Sequence, residues 1–275
     1  GAALITAGTS TFTGGTYQDN RGANGGVGFI TGGSVAFTNG LIQNNSASSN
    51  GGVAYITGGS VTFANGTFKN NSASSQGGVA YIAGGSVVFT NDLFQNNSSA
   101  SQGGVAYITG GSVTFTNGSF KNNTTNDGGA IKINSAASTP ANVVINGSTF
   151  TGNRATGSWC AGIGVQTGGT VTGGTANTFL TIQDTTFYNN TSSTSPATNG
   201  VVMTWNTGGN VTFSGTNKFF ENKGMENDVV FWNSNNKHSV FNFNGTTYMN
   251  SGFYVYSAGW TANANNSSAT NITGT

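Results

Sequence analysis

The sequence predicts an all-β fold, a right-handed single-stranded parallel β-helix (β-solenoid) of about ten three-sided coils. Three observations lead there. Near-identical units begin at Gly25, Gly51, Gly77 and Gly103, 26 residues apart without insertion, and a fixed period of this length marks a stacked, quasi-one-dimensional architecture. Each unit divides at Gly-Gly and Asn-Gly into strand-sized pieces, as in GGVAYITGGSVTFANGTFKNNSASSQ over Gly51–Gln76. Within the pieces apolar residues alternate with small or polar ones, the period-2 pattern of a strand with one buried face.

Each unit holds three strand-like segments. The first is VAYI. The coil opening at Gly128, GGAIKI, assigns its faces: Ile131 and Ile133 share one side, Ala130 and Lys132 the other. Lys132 is expected to face water. By equivalence Phe29, Tyr55, Tyr81 and Tyr107 form an outward aromatic ladder with a Val column beside it, and Ala54 and Ile56 point inward. The second segment, SVTF, sends Val35/Phe37, Val61/Phe63, Val87/Phe89 and Val113/Phe115 inward, and Ala36, Thr62, Val88 and Thr114 outward. The third sends Ile42, Phe68, Phe94 and Phe120 inward and Gln43, Lys69, Gln95 and Lys121 outward. This places the two lysines ~9.6 Å apart, two coils of ~4.8 Å, near the physiological screening length. Asn39, Asn65, Asn91 and Asn117 mark a turn that needs φ > 0. A polar run such as NSASSQ closes the coil.

The near-perfect repeats cover residues 25–127, and looser coils extend the β-helix over 1–260. Phe150-x-x-Asn153, Phe187-x-x-Asn190 and Phe219-x-x-Asn222 repeat the third segment. Ten coils make a rod of ~45–50 Å. Residues 261–275 lose the pattern and read as a polar tail, a cap or a linker. The chain opens on Gly1 without a signal-like segment, consistent with a mature fragment or a piece of a longer chain.

Composition narrows the function. Charged residues are 5% of the chain and the net charge is +1, against roughly 25% charged in ordinary globular domains. Nucleic-acid binding needs clustered Lys and Arg, and no such cluster exists. No apolar run is long enough for a membrane span. With 19 Phe, 8 Tyr and 4 Trp at periodic places the chain is not disordered. A surface so poor in charge is expected to be covered, by glycans or by neighbouring molecules.

Gly-Gly-Ala/Val-hydrophobic, as at Gly128–Ile131, alternates with Phe-x-x-Asn, as at Phe68–Asn71, Phe94–Asn97 and Phe120–Asn123. This ordered alternation resembles the repeats of chlamydial polymorphic outer membrane proteins and related surface proteins of algae and protists. Most coils carry GGV with Ala one place later, a departure from the first motif. The resemblance implies a right-handed β-helix, an extracellular or cell-surface location, and adhesive or structural work.

Three sets of residues stand out. The ladder Phe29, Tyr55, Tyr81 and Tyr107 is a candidate subunit interface or sugar-stacking strip. Asn45, Asn71, Asn97, Asn123, Asn153, Asn190 and Asn222 form a structural asparagine ladder at a bend. Asn146, Asn210, Asn244, Asn266 and Asn271 are the candidate N-glycosylation sites away from the crowded block. Glu221, Glu226 and Asp228, among Lys218, Lys223, Lys237 and His238, form the one charge cluster where polysaccharide chemistry would be sought. Cys160, beside Trp159, reads as a small buried residue.

No cofactor, no metal and no catalytic residue is expected. The leading expectation is a non-enzymatic extracellular structural protein, a building block of a filament, hair or coat that associates with itself or with other surface proteins. Open strand edges at the ends of a solenoid would aid such association. A surface adhesin or carbohydrate-binding rod is the alternative. Two further classes, an ice-binding protein with a Thr-x-Thr face such as Thr114-Phe-Thr116 and a polysaccharide-degrading enzyme, fit the pattern less well.

Overall fold

The computed structural model describes residues 2–136, 138–157, 160–168, 178–192, 200–205, 209–224, 228–232, 240–249, 251, 253–256 and 261–263. Every pairing between its strands is parallel, each strand meeting its counterpart from the neighbouring coil. A one-residue shift occurs where Ser98–Gln102 meets Thr124–Asp127 at the end of the perfect block. Elsewhere through the block the register holds: Val61 sits between Val35 and Val87, and Phe63 between Phe37 and Phe89. The identical period forces this. One residue of slip would turn every Val and Phe to solvent.

The strands form three sheets. The first holds ten strands, from Ala3–Ile5 to Phe253–Tyr256, built from the first segment of each coil. The second and third segments belong to one long sheet. Separate in the early coils, as Ser60–Ala64 and Thr67–Lys69, they fuse in Gly209–Phe220, which pairs with both strands of the coil before it. The third sheet has seven strands, five of them only two residues long, among them Ser46–Ala47, Ser72–Ala73 and Arg154–Ala155. They lie in the runs read from sequence as polar turns. Ala47, Ala73, Ser99, Thr125 and Ala155 are nevertheless buried, so this side closes the core with small residues. Among the described residues the first segment recurs ten times on the first sheet and the second segment ten times on the long sheet, but the third sheet has only seven strands, so the solenoid makes about eight turns where ten were expected. Pairing continues to Thr261–Asn263, which joins Val240–Asn242.

The core is a set of columns. Phe37, Phe63, Phe89 and Phe115 stack face to face with centroids 4.8–5.2 Å apart. A second column, Phe68, Phe94, Phe120, Phe150, Phe187 and Phe219, stacks at 4.3–5.1 Å and meets the first edge-on. Coil spacing of ~4.8 Å coincides with a good ring-stacking distance. One assignment is corrected. The Val column of the first segment, expected outside beside the ladder, is core: Val27, Val53, Val79 and Val105 are buried. The N–H groups of Val53 and Ala54 both donate to the Val79 carbonyl, at 2.8 and 2.9 Å. That doubled contact breaks alternation, so consecutive residues both face in.

The turns follow the expected chemistry. Asn39, Asn65, Asn91 and Asn117 have φ of 53–58°, the left-handed region that Asn tolerates better than most residues. The Phe-x-x-Asn asparagines occupy the next bend and are fully used. Asn71 Nδ2 donates to the Ile42 carbonyl at 2.9 Å and to Asn97 Oδ1 at 3.0 Å, and Asn97 Oδ1 also accepts the Asn71 backbone N–H. The same pattern runs through Asn45, Asn97, Asn123, Asn153 and Asn190 to Asn222. A tight bend strands backbone groups inside the core, and this ladder satisfies them.

Candidate functional site: an aromatic flank

The outer face of the first sheet carries the aromatic column. Its register runs Leu4, Phe29, Tyr55, Tyr81, Tyr107, Lys132, Gly164, Met203 and Val230. Phe29, Tyr55 and Tyr81 are half-buried, with centroids 4.9 and 4.7 Å apart and planes within 17°. Burial and the neighbouring Tyr81 ring raise the Tyr55 hydroxyl above its ordinary pKa. Leu4, 70% exposed, belongs to this column too. It escaped the sequence reading because the first coil is one residue shorter, which hides its alignment with Phe29.

Tyr107 departs from the exposed ladder expected. Its ring continues the stack, 5.4 Å from Tyr81, but it is only 4% exposed. Asn134 Nδ2 donates to its hydroxyl at 2.7 Å, and burial dominates the rise in its pKa. Lys132, expected in water, is also 4% exposed. It pairs with Asp127 at 3.5 Å, while Gln102 Nε2 donates to the same carboxylate oxygen at 2.8 Å. The physical reason is a change of path. At Gly128 and at Cys160 the chain entering the first sheet lies over its outer face. The Gly128 backbone lies against the Lys132 side chain, and the space beside Gly164 is taken by Cys160 Sγ and Gly128. Met203 and Val230 are buried in turn. The column is thus bare from Leu4 to Tyr81 and covered by its own chain beyond.

The stack also decides what the bare part can bind. Sugar stacking needs an open ring face. Here each face lies on the next ring, so the flank presents ring edges and the hydroxyls of Tyr55 and Tyr81. The arrangement suits an extended contact along the axis better than a sugar platform.

The remaining candidates divide. Among the glycosylation candidates Asn244 is exposed, Asn146 and Asn210 are partly so, and Asn266 and Asn271 lie outside the described residues. The Asn146 sequon is internally engaged: Ser148 Oγ donates to the Asn146 carbonyl and accepts the Gly118 N–H, both at 3.1 Å. Cys160 is free and wholly buried, and burial pushes its thiol pKa up, which suits an inert core residue. Only part of the charge cluster lies among the described residues. Asp228 is buried and accepts the Ser251 N–H at 2.7 Å, whereas Glu221 is exposed. Glu226, Lys237 and His238 lie outside the described residues. Among the described residues no three His, Cys, Asp or Glu side chains gather as metal ligands would. A water-sized apolar void sits in the core beside Gly28, where later coils carry Ala54, Ala80 or Ala106.

The model for a right-handed β-helix region matches residues 1–180. No curated protein and no solved structure matches the chain.

Proposed function

Because the chain belongs to the right-handed β-helix family, we propose that it is a non-enzymatic structural rod of an extracellular or cell-surface layer, assembling side by side through its aromatic flank. One observation carries the reading: Leu4, Phe29, Tyr55 and Tyr81 form a straight, uncovered apolar row at coil spacing. The same column is closed over by the chain itself from Tyr107 onward. A row of ring edges repeating at a fixed interval offers a second rod a matching row in the same register. Edge-to-face aromatic contacts add ~0.5–1.5 kcal/mol per pair beyond area burial, and several act together along the row. Low charge density supports close approach of rods, since few charged groups need desolvation.

The test is sedimentation velocity over a concentration series, comparing wild type with the Tyr55→Ser/Tyr81→Ser double variant. Wild type is expected to shift to larger species with concentration while the variant stays monomeric. Identical behaviour of the two would remove the flank from the assembly. The adhesin reading draws its support from a different part of the surface.

A further inference from the structure

Exposed rings gather a second time, on the long sheet. The outward position of the third segment is polar in six successive coils: Gln18, Gln43, Lys69, Gln95, Lys121 and Thr151. The next two coils place Tyr188 and Phe220 there. The core does not ask for these rings, because the inward neighbours Phe187 and Phe219 already fill it. Phe220 is 40% exposed. Tyr248, register partner of Lys218 and so beside it on the next coil, is 49% exposed. Tyr188 and Phe220 have centroids 4.8 Å apart but planes tilted by 33°, unlike the near-parallel core stacks. Among the described residues no further ring lies on Phe220. The exposed Glu221 carboxylate is near enough to the Tyr188 hydroxyl to raise the tyrosine pKa.

We propose that Tyr188, Phe220 and Tyr248 form a stacking platform for the sugar rings of a neutral polysaccharide, with Lys218 and Glu221 hydrogen-bonding its hydroxyls. Aromatic faces bind the apolar face of a sugar ring, while its hydroxyls both donate and accept, as this rim of one ammonium and one carboxylate requires. The two charges oppose one another, which suits an uncharged ligand. A polyanion would meet Glu221. The flank is a strand face rather than an enclosing pocket, so it fits an extended chain better than a small molecule. A second copy of this protein is disfavoured as occupant because docking would bury the Lys218 and Glu221 charges at a desolvation cost. A sugar leaves them wet. The platform lies on a different sheet and on later coils than the assembly flank, and the two readings stand or fall separately.

The experiment titrates the 275-residue chain with cellohexaose, chitohexaose and mannohexaose, and with polygalacturonate as the charged contrast, following binding by calorimetry. Saturable binding of a neutral hexasaccharide is expected. Phe220→Ala should weaken it about two- to tenfold, the worth of one stacked ring, with unchanged circular dichroism and melting because Phe220 is outside the core. The Tyr55→Ser/Tyr81→Ser variant should bind as wild type does. Three outcomes overturn the proposal: no neutral hexasaccharide binds, Phe220→Ala binds as tightly as wild type, or Phe220→Ala converts a wild-type dimer to monomer, which would assign the patch to a second copy.

Discussion

Replacing Asn97 by Ala should cost far more than its exposed neighbour would suggest. Asn97 is wholly buried, and its amide makes four hydrogen bonds of 2.9–3.0 Å. Its Oδ1 accepts from the Asn71 backbone N–H and from Asn71 Nδ2. Its Nδ2 donates to the Phe68 carbonyl and to Asn123 Oδ1. At ~1 kcal/mol net for each bond, the loss is ~4 kcal/mol, and the buried Asn71 N–H left without an acceptor pushes it upward. Asn96 is the internal control. It is exposed, with φ of 56°, a conformation glycine adopts freely, so Asn96→Gly should cost ~1 kcal/mol or less. Urea unfolding followed by far-ultraviolet circular dichroism compares the two. Since repeat arrays need not unfold as one unit, amide exchange at Asn71 and Asn123 locates the damage. A loss below ~1 kcal/mol for Asn97→Ala, or equal losses for both variants, would refute the role assigned to the ladder.

Two further predictions concern the turns between the second and third segments and the bend into the first sheet. Asp92 stands where other coils have Gly40, Gly66 and Gly118. It is buried, and it accepts the Gly66 and Thr90 N–H groups at 2.6 and 3.1 Å. Burial outweighs those bonds and lifts its pKa from 3.8 to about 7. Below pH 3.8 folded and unfolded states both hold the proton. Between there and about 7 the unfolded chain ionises first, so stability falls as pH rises, by at most ~4 kcal/mol. Asp92→Asn should flatten that dependence in denaturation series from pH 4 to pH 8, and a wild type with no fall across this window would contradict it. Gly78→Ala should lose ~3 kcal/mol by overpacking, because a Cβ there would run into the carbonyl oxygens of Gly104 and Ser98. Melting temperatures of the variant and wild type check this, and an unchanged value would show that the coils can move apart.

The fold was legible because two periods agree: 26 residues set the coil, and alternation within it sets the faces. Val61, Phe63 and Phe68 inward, Thr62 and Lys69 outward, and Asn71 in the bend all stand where the pattern places them. Three features were not legible, each for a physical reason. The short sheet is written in Ser, Thr and Ala, such as Ser72–Ala73, residues that signal turns as readily as strands. The inward Val column depends on a doubled backbone contact at Val79 that side-chain alternation does not encode. The burial of Tyr107 and Lys132 comes from the route of segments beyond the perfect block, and equivalence between repeats cannot foresee cover supplied by a non-repeating neighbour. The aromatic ladder was therefore found as a column but not as a column of limited open length. The exposed pair Tyr188 and Phe220 looked like one more Phe-x-x-Asn coil until its outward neighbours were seen together.

Negative-stain imaging of the native material tests the central claim most directly. Lateral assembly through the Leu4–Tyr81 row predicts ribbons or sheets of rods lying side by side, in register along their axes. A field of dispersed single rods at high protein concentration would contradict it.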